Sequence, residues 1–163
     1  MSEPRTLSNI CQVCLVVKDL RAAMDKYASL GIGPFSVYTV DTKMLPGVTY
    51  RGAAANYRAQ VAMAKIGTLW LELMEHQEGE NIYKEHLQKH GEGLHHFGIF
   101  VDDYKAACDH LTGQGYRQIM GGPIIGKDRE GRFDYFETEK GYGAIIELLD
   151  MPDDLGKPTY TYP

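Results

Sequence analysis

Four polar residues stand at matching places in apolar segments of the chain. Gln12 and His96 lie in two similar stretches, ICQVCLVVKD at residues 10–19 and LHHFGIFVDD at residues 94–103. Glu72 and Glu147 lie between leucine or isoleucine residues, in LWLELMEH and AIIELLDMP. A carboxylate in an apolar strand is costly to bury unless it is paired, neutralised or bound to a cation. Two such glutamates at equivalent places in a repeat therefore indicate a shared role.

Together the four side chains could bind one divalent metal ion. Side chains alternate along a strand, so two facing copies of a curled sheet would bring all four toward one centre. One imidazole, two carboxylates and one amide oxygen suit Co, Mn, Ni, Zn or Mg with water in the open positions. A closed structural zinc site would contain more Cys and His. The alternative is that His96 is a hydrogen-bonded core histidine and that both glutamates reach the rim of the sheet.

Other potential ligands have plainer explanations. Cys11 and Cys14 are three residues apart on a predicted strand, so their thiols should point to opposite faces, as free buried cysteines. His86 and His90 have a spacing compatible with metal binding on a helix, but their charged neighbours favour a solvated face. We expect His95 to point away from the side of the strand that His96 occupies.

The two similar stretches begin a longer repeat, which predicts an α+β fold made of two βαβββ modules. Each copy starts with an apolar strand that ends at an aspartate, Asp19 or Asp103, placed to cap the following helix. Each helix should end at a glycine, Gly31 or Gly115. The predicted modules cover about residues 8–78 and 92–152. They are joined by a helix at about 81–90 and followed by an irregular tail at 153–163, and the whole chain is one domain.

Further elements follow from turn residues and alternation. Residues 140–143, with the sequence KGYG, predict a hairpin turn before the last strand. Long polar or glycine-rich loops are expected at 41–56 and 121–132, where loops of this length often carry function. The predicted helices are 20–30 and 104–114, and the remaining predicted strands are 35–40, 60–66, 69–75, 117–120, 133–138 and 144–149.

Composition excludes several classes of partner. The chain has 163 residues, 44% of them hydrophobic and 24% charged, with a net charge of −5. These values give no reason to expect nucleic acid or a membrane surface as a partner. No apolar run approaches the roughly 20 residues that span a bilayer, and the first ten residues contain no stretch of signal-peptide type. We expect a cytoplasmic protein that acts on a small molecule.

The chain resembles the vicinal-oxygen-chelate superfamily, which includes glyoxalases, bleomycin-resistance proteins and dioxygenases. GEGLHHFGIFVDD at 91–103, QVCLVVKDL at 12–20 and LGIGPF at 30–35 are similar to stretches of methylmalonyl-CoA epimerases, as are the ELM and ELL strand ends. The resemblance implies that Gln12, Glu72, His96 and Glu147 are the metal ligands. It also implies a homodimer, because relatives commonly pair.

Two departures from the epimerase pattern concern the site. Epimerases usually have His at the position of Gln12 and Gln at the position of Glu72, whereas the set found here resembles that of animal-type glyoxalase I. The arginine and asparagine pattern with which glyoxalase I binds glutathione is not recognisable. Residues 42–71 contain no Asp or Glu, so a base from the middle of the first module is missing. Proton transfer on two faces would therefore need Glu72.

The chemistry implied is racemisation or epimerisation at a carbon next to a carbonyl group. We expect Glu147 to be the principal base and Glu72 its counterpart, while Gln12 and His96 hold the ion. A glyoxalase I-like isomerase or a lyase on the same metal site is one alternative. A non-catalytic protein that sequesters a small molecule is another, although such relatives often lack the metal set. An extradiol dioxygenase is a less favoured alternative, because those relatives bind iron with two histidines and one glutamate.

The expected pocket is apolar and aromatic. Cys14, Ile145 and Leu149 are in phase with the metal ligands, although ordinary core packing would also explain them. Such a lining suits an aromatic or otherwise apolar ketone better than a small dianion. Racemases of dihydroisoflavones resemble this branch and would fit, and an acyl-CoA is the other substrate class considered. The expected substrate-binding residues are Trp70, Met74, Phe100, Tyr38, Tyr57 and Tyr135.

Overall fold

The computed structural model describes Leu7 and residues 9–163. The helices in this part of the chain are α1 (Leu20–Ser29), α2 (Ile82–His90), α3 (Tyr104–Gly113) and the single turn α4 (Glu139–Tyr142). The strands are β1 (Ile10–Val17), β2 (Phe35–Asp41), β3 (Thr49–Tyr50), β4 (Ala53–Ala54), β5 (Tyr57–Ile66), β6 (Leu69–Gly79), β7 (Gly93–Phe100), β8 (Gln118–Ile125), β9 (Glu130–Phe136), β10 (Ile145–Asp150) and β11 (Tyr160–Tyr162).

The two predicted aspartate caps are present and equivalent. Asp19 accepts a hydrogen bond from the backbone N–H three residues later at 2.9 Å, and Asp103 does the same at 2.9 Å. These bonds satisfy one of the free N–H groups at the start of α1 and of α3. Both helices end just before a glycine with positive φ, 81° at Gly31 and 87° at Gly115. The repeat read from the sequence is thus confirmed at both ends of both helices.

All strands belong to one sheet, in the order β11-β2-β5-β6-β1-β7-β10-β9-β8-β3-β4. Each half contains a parallel pair at the middle of the sheet, β1 with β6 and β7 with β10, and antiparallel strands continue outward from it, β5 and β2 in one half and β9 and β8 in the other. The antiparallel pair β1–β7 joins the halves. Both halves therefore have the predicted βαβββ order, and the α+β fold of two such modules is confirmed.

Three clusters of buried side chains hold the sheet and helices together. Met24 and Phe35 belong to the cluster under α1, and Leu111 and Phe136 belong to the cluster under α3. The third cluster lies on the other side of the sheet, where α2 packs against β1, β6 and β7. Since this cluster draws side chains from both modules, it is the one that surrounds the centre of the sheet.

The predicted loop at 121–132 is wrong. Most of this segment belongs to β8 and β9, and β8 runs from Gln118 to Ile125 instead of ending at residue 120. Its glycines suggested a loop, but glycine here permits a close approach between strands. A Cβ atom on Gly121 would lie 1.9 Å from Oδ1 of Asp134 on β9.

Smaller corrections concern the connections. The predicted hairpin turn at 140–143 is the helical turn α4, which is followed by Gly143 with a φ of 73°. The expected loop at 41–56 contains the short strands β3 and β4, and β3 pairs with β8 of the other module. The tail ends in strand β11, which pairs with β2. No helix among the described residues has the length and apolar character that crossing a membrane requires.

Candidate functional site

The four predicted site residues occupy the four central strands. Gln12 lies on β1 directly opposite Gly98 of β7, and Glu147 on β10 lies opposite the same glycine from the other side. A Cβ atom at Gly98 would lie 2.9 Å from the Cβ of Gln12, so glycine leaves the space that this side chain occupies. His96 and Glu72 flank Cys14 of β1 in the same way. Strand register alone therefore places all four side chains around one point.

Their polar atoms meet within hydrogen-bonding distance. Nε2 of His96 lies 3.2 Å from Oε2 of Glu72 and 3.1 Å from Oε2 of Glu147. Nε2 of Gln12 donates to both of these carboxylate oxygens, at 3.2 Å each, and lies 3.3 Å from Nε2 of His96. The exposed fractions of Gln12, Glu72, His96 and Glu147 are 5%, 7%, 0% and 4%. Glu72 and Glu147 are therefore buried at the centre of the sheet and, contrary to the alternative, do not reach its rim.

Burial and charge shift the pKa values in this cluster. Burial raises the pKa of Glu147, and the neighbouring His96 opposes that change. Burial alone would lower the pKa of His96, but adjacent groups raise it well above its ordinary value. Cys14 is one of those neighbours, yet burial raises the pKa of its own thiol, which stays neutral. We therefore assign the shift of His96 to the carboxylate of Glu147.

The cluster fits a divalent cation. Two carboxylates and one imidazole in a buried site concentrate negative charge that a cation would offset. Rotating the Gln12 amide by half a turn would present its carbonyl oxygen in place of Nε2, because the amide carries a donor and an acceptor of similar size. The resulting donors, three oxygens and one nitrogen, are those that hard and borderline divalent ions accept. These four residues would hold such an ion.

His95 contributes to the site in a way that sequence reasoning missed. It was expected to point away from His96, but its Nδ1 lies 2.8 Å from Nδ1 of His96. Burial lowers the pKa of His95 well below its ordinary value, so the ring is neutral. His95 can therefore fix the orientation of the His96 ring from the side opposite the carboxylates. Cys14, His95 and His96 also offer ligand atoms within 4.8 Å of one another.

Two adjoining clefts open beside the cluster. The inner one, of about 280 Å³, is lined by Gln12, Glu72 and Glu147, and the outer one measures about 600 Å³. Gln12 and Leu149 line both. Each residue predicted to bind substrate lines a cleft: Tyr57, Met74 and Tyr135 the inner one, Trp70 and Phe100 the outer one, and Tyr38 both.

The predicted lining was incomplete in two respects. Cys14 and Ile145 are core residues with exposed fractions of 0% and 5% and line neither cleft. Ile124 and Phe133 line the inner cleft but were not predicted. Ile124 fell in a segment that was expected to be a loop, so strand phase could not assign its direction.

Tyrosine hydroxyls supply further polar groups in the inner cleft. Tyr83 and Tyr135 share a hydrogen bond of 3.0 Å between their hydroxyl oxygens. Burial, reinforced by Glu147, raises the pKa of Tyr135 well above its ordinary value. Its hydroxyl therefore remains a neutral donor beside the carboxylates. Among the described residues that line either cleft there is no lysine or arginine.

The fold is similar to that of solved proteins. Methylmalonyl-CoA epimerase from Mycobacterium tuberculosis is 20% identical, with a TM-score of 0.67 over 93% of this chain and 94% of that chain. A Streptomyces coelicolor methylmalonyl-CoA epimerase in complex with 2-nitronate-propionyl-CoA is 24% identical, with a TM-score of 0.65 over 88% and 96%. A hypothetical protein from Bacillus halodurans is 18% identical, with a TM-score of 0.65 over 90% and 96%.

The sequence itself establishes the family. A comparison with curated proteins gave no match. The model of the Glyoxalase/Bleomycin resistance protein/Dioxygenase superfamily matches residues 11–136, which is most of the chain and includes strands of both modules. The resemblance drawn from the sequence motifs is thereby confirmed, and the chain belongs to this superfamily.

Proposed function

We propose that the protein is a metal-dependent racemase or epimerase that transfers a proton at a carbon next to a carbonyl group. The observation that supports this most directly is the convergence of Glu72 and Glu147 on the buried imidazole of His96, with both glutamates lining an apolar cleft. Two buried carboxylates beside one bound substrate can act on two faces of a carbon. The structural neighbours named as epimerases share this fold.

Each residue has a distinct role in the proposal. Gln12 and His96 mainly hold the ion, whose Lewis acidity would offset negative charge on a carbonyl oxygen nearby. Glu147 removes the α-proton, and its raised pKa makes it a stronger base than an exposed carboxylate. Glu72 delivers or removes a proton on the opposite face. Because both glutamates also count among the proposed metal ligands, at least one must move to act as a base.

The lining of the clefts favours an apolar ketone as substrate. The inner cleft is bordered by tyrosine, methionine and aliphatic side chains, and the outer cleft contains Trp70 and Phe100. Aspartates at 150, 153 and 154 line the outer cleft. Arg129 pairs with Asp150 at 2.8 Å, but no described lysine or arginine lies within ion-pair distance of the other two. The phosphates of an acyl-CoA would be disfavoured there. An aromatic ketone such as a dihydroisoflavone fits this lining better.

Loss of the α-proton signal in D2O, followed by NMR, tests the proposal. Metal-supplemented protein is given an isoflavanone, methylmalonyl-CoA or a methylglyoxal–glutathione hemithioacetal. Glu147→Gln is compared with the wild type and with Glu78→Gln, a control on the same strand as Glu72 whose side chain is exposed. We expect exchange of the isoflavanone, lost in Glu147→Gln and kept in Glu78→Gln.

The other arms distinguish the competing functions. Conversion of the hemithioacetal would favour a glyoxalase I-like isomerase, the activity that the Gln, Glu, His and Glu ligand set resembles. Tight binding of the isoflavanone without exchange would favour a sequestering protein and contradict the proposal. Exchange of methylmalonyl-CoA alone would keep the reaction type and overturn the substrate class.

The proposal also includes the assembly. We propose that residues 8–78 and 92–152 form the two modules of one domain, and that two copies pair as a homodimer in the cytoplasm. The support for pairing is the family resemblance. Light scattering coupled to gel filtration measures the mass directly, and a mass of one chain would contradict the dimer.

A further inference from the structure

A second group of metal-ligating side chains lies on the opposite side of His95 from the proposed catalytic cluster. His86 and His90 project from the same face of α2, because residues four apart on a helix are neighbours. Glu139, at the start of α4, faces them. One ligand atom from each of His86, His90 and Glu139 lies within 4.8 Å of the other two.

His86 was expected on a solvated face, and that expectation is wrong. Only 8% of the residue is exposed, and neither ring nitrogen has a hydrogen-bond partner among the described residues. Leaving a buried polar atom without a partner is unfavourable, so native structures contain few such atoms. Both nitrogens of one imidazole in this state point to a missing ligand.

Glu139 is available to such a ligand. The nearby carboxylates of Glu85 and Glu137 are already paired with Arg51 and Arg117, at 2.7 Å and 2.6 Å. Glu139 has no arginine or lysine within ion-pair distance in the described chain, and its one contact of this kind is Nε2 of His90 at 3.8 Å. Its carboxylate therefore lies beside two imidazoles and forms no ion pair with a described lysine or arginine.

There is space between these side chains for one ion. A small cleft of about 20 Å³ is lined by His86, His90 and Glu139. Its lining also includes two cationic and two further acidic side chains, together with His95 and three isoleucines: Arg51, Lys89, Glu85, Glu137, Ile82, Ile119 and Ile145. A single water-sized occupant needs roughly 10–15 Å³. Zinc binds imidazole nitrogen at about 2.0–2.1 Å and carboxylate oxygen at about 2.0–2.2 Å, in tetrahedral geometry. His90 and Glu139 are partly exposed, so their side chains have room to rotate toward those distances.

We propose that His86, His90 and Glu139 form a second divalent-metal site, of the kind that accepts zinc, distinct from the proposed catalytic cluster. The two imidazoles come from the helix that links the modules. The carboxylate comes from the turn that precedes β10, the strand carrying Glu147. An ion bound here would cross-link the linking helix α2 to the turn α4 of the second module. The site does not depend on the proposed racemase activity.

Metal stoichiometry after zinc loading tests the second site. Full-length protein is stripped with a chelator, loaded with Zn²⁺, dialysed against metal-free buffer and analysed by elemental mass spectrometry. His90→Ala is the main variant, because His90 is half-exposed and its truncation should not disturb the core. His110→Ala, another exposed histidine, on α3, is the matched control. We expect His90→Ala to lose one equivalent of zinc and His110→Ala to lose none.

The result is independent of the first site. If the catalytic cluster retains zinc, the wild type should hold two ions and His90→Ala one. If the catalytic cluster does not retain zinc, the wild type should hold one ion and His90→Ala none. Glu147→Gln affects only the first site. Equal zinc content in the wild type and His90→Ala overturns the proposal.

Long-range ¹H–¹⁵N spectra of the imidazoles give a second readout. In the wild type, zinc should shift the resonance of one ring nitrogen of His86 and of one ring nitrogen of His90. In His90→Ala, zinc should leave the His86 resonances unshifted. Unchanged His86 and His90 nitrogens in zinc-loaded wild type would also overturn the proposal.

Discussion

Nε2 of His96 and Oε2 of Glu147 lie 3.1 Å apart, on adjacent parallel strands that belong to the second module. The equivalent strands of the first module bring Gln12 and Glu72 to the same point. The cluster is therefore a product of the pseudo-symmetric sheet, in which each module supplies one side chain from its first strand and one from its last strand. The two carboxylates come from opposite modules, an arrangement compatible with the proposed proton transfer on two faces.

Glu72→Gln tests whether the two glutamates act on opposite faces. We expect the variant to exchange the α-proton of one enantiomer while its conversion into the other falls at least about 100-fold, a typical contribution of an acid–base group. Polarimetry follows conversion, and NMR in D2O follows exchange for each enantiomer separately. Glu78→Gln, exposed on the same strand, should retain both rates. Racemisation within threefold of the wild type would show that one base suffices.

His95→Phe tests the role of the His95–His96 hydrogen bond in orienting the proposed ligand. Phenylalanine keeps a ring in the buried space but cannot bond to Nδ1 of His96. We expect cation affinity at the catalytic cluster to fall about 10–100-fold, the usual effect of removing such a partner. Calorimetric titration with Co²⁺ measures it, with His110→Phe as the control at an exposed site. Unchanged affinity would mean that the strand alone orients His96.

The cluster was predictable because strand phase and the internal repeat can both be read directly from the sequence. Gln12 with His96, and Glu72 with Glu147, are equivalent positions, and an acid in an apolar strand is informative by itself. In the structure, the carboxylates of Glu72 and Glu147 both contact Nε2 of His96, as this equivalence predicts. The identity of the ion and substrate does not follow from phase, because it depends on pocket shape and mobility.

The prediction failed where local composition and tertiary packing disagree. Gly121 and Gly122 resemble loop residues but lie in β8. Glycine is needed there because β9 and Val48, which precedes β3, approach too closely for a Cβ atom. His86 was placed in solvent because of its charged neighbours. A signal was present, since Ile82, Tyr83 and His86 follow helical spacing and all three are buried. Weighing that apolar stripe above the adjacent charges would have found it.

Gly98→Ala tests the space in which Gln12 lies. The new Cβ atom would lie 2.8 Å from Cδ1 of Leu149 and 2.9 Å from Cβ of Gln12. We expect the free energy of unfolding to fall by about 1–3 kcal/mol, the usual cost of overpacking, and cation affinity to fall with it. Gly113→Ala, in α3 with nothing within 4 Å of its Cβ position, should instead be neutral or stabilising by up to about 1 kcal/mol. Urea denaturation of both variants distinguishes a local clash from a general effect of the substitution.

The pair formed by Arg51 and Glu85 predicts a pH-dependent contribution to stability. Arg51 follows β3, and its guanidinium donates to both carboxylate oxygens of Glu85 on α2 at 2.7 Å. These bonds lower the pKa of Glu85 below its ordinary value of 4.5. A lowered pKa in the folded state means that the stabilisation is complete above the unfolded pKa and is lost as pH falls through the folded one.

Glu85→Gln should therefore reduce the free energy of unfolding by about 0.5–1 kcal/mol at pH 7, a value appropriate to a partly exposed ion pair. The difference from the wild type should shrink as pH falls below 4.5, because protonated Glu85 and glutamine are then nearly equivalent. Urea denaturation between pH 3 and 7 measures the difference, and Glu78→Gln supplies the exposed control (~0 kcal/mol at every pH). A difference that stays constant across this range would show that Glu85 stabilises the helix through packing and not through its charge.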